Sequence, residues 1–315
     1  MKGLLSLLLY MALLWAHLIT ITHSSVVSTG DFNQDFVWSD SDHVRISPSG
    51  HSLTLVLGKK SGGDAALIIS KKQFIFGQYD MQIKLTLDEK GRSTGTAAYY
   101  LLTSFSKDGN QDMILFEFIP NENGKGYILQ TNIYTNGHGK REETINLWFD
   151  PTDKFHKYSI FWNKYHVTFK VDGVAIRVFK NYSDRGAEYL STSKPMVLVG
   201  GFGKDGKFAT LVEPSGVKTT RVKHEHNGRD WSKTPSSATF KSFKIDACVW
   251  KGKNAADCSI PSKTKWWNYP KYSGPTSREV ADIKSIRKNY LVYDYCHDHG
   301  KFGGHMPKEC SFPKY

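Results

Sequence analysis

The sequence lacks cysteine over its first 247 residues and, after residue 24, has no long apolar run. A membrane-spanning helix needs roughly 20 consecutive apolar residues, so we expect no stable membrane insertion of the remaining chain. No internal repeat or low-complexity tract stands out among the 315 residues. A chain of this length is ample for one sizeable core plus an extension.

The first 24 residues have the pattern of a cleaved secretory signal. They contain a single Lys or Arg, Lys2, followed by the apolar run from Leu4 to Trp15. A membrane anchor is the rival interpretation, but the run is too short to span a bilayer. We therefore predict a signal peptide over residues 1–24 and a secreted protein. The sequon Asn181-Tyr182-Ser183 then predicts glycosylation at Asn181 in an exposed loop.

Four cysteines lie in the last quarter of the chain: Cys248, Cys258, Cys296 and Cys310. They allow three disulfide pairings, of which the near-neighbour one joins Cys248 to Cys258 and Cys296 to Cys310. A zinc site is the rival interpretation, because three histidines follow Cys296 within ten residues. Their spacing matches no standard zinc pattern, and an oxidising compartment favours disulfides. We predict no metal and no cofactor.

The chain is basic, with 42 Lys and Arg against 30 Asp and Glu and a net charge of +12. A basic surface can bind nucleic acid, but there is no helical basic stripe and no recognised nucleic-acid-binding module. We expect no nucleic-acid partner. The surplus charge is typical of a solvated surface, or of one that meets an acidic polymer.

Alternating apolar residues indicate strands from about residue 44 to 245, for example at Tyr79–Leu85 and Val167–Val171. Short strands separated by glycine-rich turns are typical of an all-β sandwich or barrel. The one plausible helix covers about residues 280–292. From Ala247 onward the composition changes, which predicts an extension that packs on the sandwich and has no core of its own.

Ordered segments across nearly the whole chain after residue 24 resemble one family. The residues Gln111-Asp-Met-Ile-Leu-Phe-Glu-Phe-Ile-Pro120 and Gln130-Thr-Asn-Ile-Tyr134 resemble hallmark segments of plant xyloglucan endotransglucosylase/hydrolases, in glycoside hydrolase family 16. The resemblance implies a curved two-sheet β-jelly-roll over residues 25–246 and the family's C-terminal extension over 247–315. It also implies a location in the plant cell wall, or apoplast.

The family's catalytic strand reads His-Asp-Glu-Ile-Asp-Phe-Glu-Phe-Leu-Gly. The resemblance places Met113 at the nucleophile position, Leu115 at the position of the helper Asp, and Glu117 at the acid/base position. Alternate residues of a strand share a face, so these three side chains are predicted to point into one cleft. A retaining glycosidase needs two carboxyl groups roughly 5–5.5 Å apart, and only one remains here.

The departures from the family are larger on one side of the cleft. The resemblance implies that Gln130, Asn132 and Glu142 keep the hydrogen-bonding positions for donor-side sugars. On the acceptor side, substitutions replace polar or flat side chains: Thr144 and Lys301 stand where the family has Arg, and Phe202-Gly203 stands where it has Ile-Trp.

Three hypotheses follow. The first is a catalytically silent, monomeric protein that binds cell-wall β-glucan or xyloglucan. The second is a repurposed enzyme that uses Glu117 as a general acid/base on a small, less polar substrate. The third is residual glycoside chemistry, for which an inverting base would have to come from Glu142, because Asp112 is expected to face the other way.

Overall fold

The structure is a computed structural model, and it describes residues 25–39, 43–56, 65–88, 90–93, 95–103, 110–203, 210–213, 216–219, 237–252 and 255–315. The predicted signal peptide, residues 1–24, lies outside the described residues. Among those described, no helix is both long and apolar enough to cross a membrane.

The described residues form seventeen strands: β1 Phe36–Trp38, β2 Val44–Ile46, β3 Ser52–Val56, β4 Ala65–Ser70, β5 Phe74–Leu85, β6 Thr96–Thr103, β7 Met113–Pro120, β8 Tyr127–Tyr134, β9 Glu143–Asn146, β10 His156–Trp162, β11 His166–Val171, β12 Val174–Lys180, β13 Met196–Gly203, β14 Thr210–Glu213, β15 Gly216–Thr219, β16 Ser237–Val249 and β17 Leu291–Asp294. The α-helices are α1 Phe32–Asp35 and α2 Ser277–Asn289. Short 3₁₀ turns occupy Ser183–Arg185, Ala255–Ser259, Trp266–Asn268, Pro270–Tyr272, Tyr295–His297, Gly300–Phe302 and Lys308–Ser311.

Antiparallel pairing arranges these strands in two layers. The site layer runs in the order β1-β4-β13-β6-β7-β8-β9-β17. The outer layer runs β2-β3-β16-β5-β10-β11-β12. One residue pair, Met196 of β13 with Phe74 of β5, joins the two layers. Strands β14 and β15 form a separate hairpin.

The core lies between the two layers. Phe116 of β7 packs edge-on against Tyr158 of β10 and Phe169 of β11, with ring centroids 5.8 and 5.0 Å apart. Phe118 on the same strand meets Tyr158 at 4.7 Å. Aromatic pairs in this geometry stabilise a core beyond the area they bury. The predicted all-β sandwich of two sheets is confirmed.

The C-terminal extension packs on the sandwich, and the predicted disulfides Cys248–Cys258 and Cys296–Cys310 are confirmed. Helix α2 begins three residues before the predicted start because Thr276 and Glu279 form a reciprocal capping box. It ends earlier than predicted because the chain enters β17 at Leu291. Buried Ile283 packs with Ala175 and Val178 of β12, so this side of the helix completes an apolar cluster of the outer layer.

A buried network of charges fixes the extension to β9. Glu143 accepts hydrogen bonds from Arg287 of α2 (3.0 Å) and from Lys314 (3.1 Å). Lys314 also donates to Asp294 of β17 at 2.7 Å, and Arg287 pairs with the same carboxylate. Burial alone would raise the pKa of Asp294, but the hydrogen bonds from Lys314 and Arg287 outweigh it and lower the pKa to about 2.

The sequon lies just after β12. The half-buried Asn181 donates from its amide nitrogen to the Lys164 carbonyl oxygen at 2.8 Å, and its amide oxygen accepts from the Ser183 backbone N–H at 2.9 Å. Ser183 is exposed. Glycosylation of Asn181 stays a prediction.

We predict that Arg287→Met lowers the free energy of unfolding by about 2–3 kcal/mol, because it leaves two buried carboxylates with fewer counter-charges. Denaturant unfolding at pH 7 measures this. The folded-state pKa of Asp294 lies below the unfolded value of about 3.9, so its stabilising effect is present above pH 4 and is lost as the pH falls towards 2. This acid-dependent loss of stability should be smaller in the variant.

The matched control is Arg45→Met on β2, where the arginine is exposed and no ion pair is described. Its effect should stay within about 0.5 kcal/mol. Equal losses in the two variants would contradict a stabilising role for the network.

Candidate functional site

Strand β7 separates its residues between two faces. Ile114, Phe116 and Phe118 are fully buried in the core between the layers. Met113 and Leu115 belong to a different apolar cluster, on the opposite face of the site layer. Strand alternation gives Glu117 the same direction, so the predicted common face for positions 113, 115 and 117 holds.

The face around Met113 and Leu115 is an apolar floor built across neighbouring strands. Leu115 pairs with Tyr100 of β6, and Met113 pairs with Leu102. The cluster continues through further side chains of β4, β6 and β13: Leu67, Ile69, Ala98, Val197 and Val199. Met113 is 8% and Leu115 6% exposed. A carboxylate at either position would therefore lose most of its hydration and carry a raised pKa.

Glu117 is the one carboxyl group that β7 contributes to this face, and it is 3% exposed. Gln130, its neighbour on β8, donates an amide hydrogen bond to Oε2 at 3.1 Å. Within the part of the chain that the structure describes, the other oxygen has no donor. Burial raises the pKa of Glu117 to about 8; the Gln130 hydrogen bond opposes this shift and the nearby Glu142 charge adds to it.

A second polar group lies one strand further along the layer. Asn132 is fully buried and donates to Glu142 Oε1 at 3.0 Å. The other Glu142 oxygen pairs with Lys301, which also donates to the Tyr293 hydroxyl at 3.2 Å. Both Glu142 oxygens are thus engaged by the protein itself, and Lys301 supplies the counter-charge.

The structure brings the predicted polar residues into two adjacent hydrogen-bonded groups. Glu117 and Gln130 form one, and Asn132, Glu142 and Lys301 form the other. Thr144 links further to the first group, because its hydroxyl donates to Gln130 Oε1 at 3.4 Å. From the sequence, Thr144 was identified only as a position where the family has Arg, and Tyr293 was not identified as a site residue. Thr144 is placed beside Gln130 by the pairing of β8 with β9.

Two other residues take positions that bear on the sequence hypotheses. Asp112, just before β7, accepts the backbone N–H groups of Asn136 and Ser191, each at 2.6 Å. It therefore fixes loops, as expected for a residue facing away from the site. Phe202 of β13 lies in the core between the layers, so only its neighbour Gly203 faces the site.

The arrangement can hold and transfer a proton at Glu117, but it offers no second carboxyl group on β7 to attack a sugar. Both oxygens of Glu142 are already engaged, by Asn132 and by Lys301, so neither is free to hold an attacking water. Among the described residues there is no group of three or more His, Cys, Asp or Glu side chains placed to hold a metal ion. The chemistry open to these residues is proton transfer.

Two family models match the chain. Residues 32–213 match the model described as "Glycosyl hydrolases family 16", and residues 261–310 match "Xyloglucan endo-transglycosylase (XET) C-terminus". The first covers strands β1 to β14, including all of β7. The second covers α2, β17 and the turn that carries Lys301.

Curated relatives align over almost the whole chain. A protein of Arabidopsis thaliana described as "Probable xyloglucan endotransglucosylase/hydrolase protein 10" is 42% identical over 95% of this chain and 93% of its own length. "Xyloglucan endotransglucosylase/hydrolase protein A" of Phaseolus angularis is 36% identical over 86% of this chain and 84% of its own. A crystal structure titled "native glycosidic hydrolase" superposes with a TM-score of 0.50 at 21% identity, covering 70% of this chain and 94% of that one. It supports the fold alone.

We predict that Glu117 titrates near pH 8 in the folded protein, as measured by carbon-13 NMR of the glutamate carboxyl groups. This value lies above the unfolded pKa of about 4.3, so the folded state binds one proton more between the two values. Stability should accordingly fall as the pH rises from about 5 through 8. Glu117→Gln should remove both the titration and this part of the pH dependence.

The control variant is Gln130→Ala, which removes a hydrogen bond to the charged form and should move the Glu117 midpoint upward. A midpoint near 4.5 in the parent protein would show that the carboxyl group is solvated, contrary to its burial.

Proposed function

Since this chain belongs to glycosyl hydrolase family 16, with the C-terminal region of the xyloglucan endotransglucosylase/hydrolases, we propose that it is a secreted cell-wall protein that binds β-glucan and does not carry out double displacement. The observation that carries this proposal is the floor at Met113 and Leu115. A thioether and an isobutyl group stand where a nucleophile and its helper carboxylate would be needed. Neither can form a glycosyl ester or stabilise an oxocarbenium ion.

The environment of these two residues supports the same conclusion. The positions are apolar themselves and are also surrounded by Tyr100, Leu102 and Val199. A well-packed apolar cluster stabilises the layer, whereas carboxylates at the same places would need partners that this floor lacks. The site is therefore apolar at positions 113 and 115 and also in the side chains that surround them.

The polar groups beside the floor support carbohydrate binding. Gln130, Glu142 and Lys301 present amide, carboxylate and ammonium groups at one edge of the apolar floor. Sugar hydroxyls can bond to these groups in addition to their protein partners, because an amide, a carboxylate and an ammonium group each make more than one hydrogen bond. Gln130 is partly exposed and is the member we expect to contact a glucan directly.

We predict that the mature protein transfers no glycosyl group from xyloglucan to a labelled oligosaccharide acceptor and releases no new reducing ends. It should nevertheless bind xyloglucan in affinity electrophoresis. Glu117→Gln should change that affinity by less than about twofold, because it preserves shape and hydrogen bonding, whereas Gln130→Ala should weaken it several-fold through the lost amide contact.

Transfer that disappears in Glu117→Gln would overturn the proposal, since it would require a nucleophile or base other than residue 113. The double variant Met113→Glu with Leu115→Asp tests why transfer activity is absent. If it transfers, the missing carboxylates alone account for the loss; if it does not, the apolar floor and the acceptor-side replacements also matter.

A second candidate function is proton-transfer catalysis by Glu117 on a small, less polar substrate. The specific observation in its favour is the carboxyl group of Glu117 beside an apolar floor, with a pKa of about 8 and one oxygen to which no described residue donates. A general acid or base is most effective when its pKa lies near the working pH.

We predict for this second candidate that a turnover found by screening extracts of small metabolites falls at least about 100-fold in Glu117→Gln. Glu122→Gln, at an exposed position of the β7–β8 turn, is the matched control and should keep full activity. A turnover that survives Glu117→Gln would remove Glu117 from any catalytic role.

A further inference from the structure

A pocket of about 400 Å³ opens on the outer face of the outer layer, on the side of the sandwich away from Glu117. Strand alternation establishes this direction. Tyr158 of β10 packs on Phe116 and Phe118 of β7 between the layers, so Phe161, three residues on, points to the opposite face and meets Trp266 there. Residues from β5, β10, β11 and the extension line the pocket, among them Phe161, Lys170, Trp266, Tyr272 and Gly274.

Three aromatic rings form one wall of this outer pocket. Trp266 lies nearly parallel to Phe161, with ring centroids 5.8 Å apart at 25°, and meets Tyr272 at 4.9 Å. Phe161 is buried, while Trp266 and Tyr272 remain partly exposed. By contrast, the next tryptophan, Trp267, is fully buried in the core. Trp267 therefore anchors the turn, while Trp266 remains accessible to a ligand.

The turn that carries the exposed rings is held from below. The buried amide of Asn163 donates to the carbonyl oxygens of Trp267 (2.9 Å) and Tyr272 (2.8 Å). His166 Nε2 lies 3.2 Å from the same Tyr272 oxygen. Because these rings are already fixed, they lose little conformational entropy when a ligand binds. This helps a ligand that makes only weak contacts to bind.

The charges around the pocket cancel. Lys170 pairs with Glu279 at 2.6 Å, and the exposed Arg278 is offset by the partly buried Asp282. Two cations and two anions select against a polyanion even though the chain as a whole is strongly basic. The rim still offers amide, hydroxyl, guanidinium and carboxylate groups that bond to neutral hydroxyls.

We propose that this outer pocket is a second carbohydrate-binding site, which takes one or two residues of a neutral β-linked glucan. The apolar C–H face of a pyranose ring can lie against the electron-rich face of Trp266 or Tyr272. Its equatorial hydroxyls can then bond to the donors and acceptors at the rim, whose charges cancel. A volume of 400 Å³ falls within the range of small-molecule sites. The site is separate from the one at Glu117 and does not depend on it.

Two sites on opposite faces would allow one molecule to hold two polysaccharide chains. Binding at the second site then becomes intramolecular with respect to a fibre, and the apparent affinity for an insoluble polymer exceeds that for a short oligosaccharide. A protein that has lost its transfer chemistry can in this way still connect chains, by non-covalent contacts at both faces.

Calorimetric titration of the mature protein with cellohexaose tests the site. We expect Trp266→Ala to weaken the outer-site binding about tenfold and Trp266→Tyr to recover most of it. Gly274→Gln should block the pocket without disturbing the fold, because a Cβ at Gly274 meets no atom within 4 Å and the backbone there is not left-handed. The control is Val292→Ala, at an exposed position outside the pocket.

The outcomes separate this site from the glucan binding proposed above. Binding that is insensitive to Trp266→Ala and Gly274→Gln but lost in Gln130→Ala overturns the outer site alone. Binding that survives Gln130→Ala and is lost in Gly274→Gln supports the outer site and contradicts the one beside Glu117. No binding of cellohexaose in the parent protein, up to millimolar concentration, overturns both. Unfolding curves identify any variant that fails to fold. If Trp266→Ala fails to fold, Gly274→Gln still tests the outer site.

Discussion

The two-residue repeat of strand β7 is the constraint on which the rest of this molecule depends. Phe116 and its even-numbered neighbours bind the two layers together, while the odd-numbered residues face the site. A change at Met113 or Leu115 therefore never reaches the contact between Phe116 and Tyr158. This separation allows the residues of the site face to change while the packing between the two layers is kept.

Around this strand the apolar and the polar side chains form separate groups. Met113 and Leu115 belong to an apolar cluster, and the polar groups beside it bond to one another. Glu117 keeps its neighbour Gln130, and Glu142 is held between Asn132 and Lys301. The carboxyl group that β7 contributes to this face has a pKa of about 8, because burial disfavours its charged form and the hydrogen bond from Gln130 offsets this only in part.

The sequence predicted the layers, the shared face of positions 113, 115 and 117, and both disulfides, because each follows from short-range periodicity, spacing or resemblance. It could not predict the floor around Leu115, which requires knowing that Tyr100 and Val199 lie beside it on other strands. Nor could it predict the ion pair of Glu142 with Lys301, which are 159 positions apart. The outer pocket was missed for the same reason: Trp266 and Phe161 meet only once the extension has packed on the sandwich.

The clamp between Glu143 and Lys314 has a consequence for the order in which the chain is assembled. Glu143 on strand β9 leaves the ribosome 171 residues before the lysine that pairs with it. The β-sandwich can pair most of its strands during synthesis, but this ion pair can form only once the extension has been made. Docking of the extension therefore follows the pairing of the two-layer core.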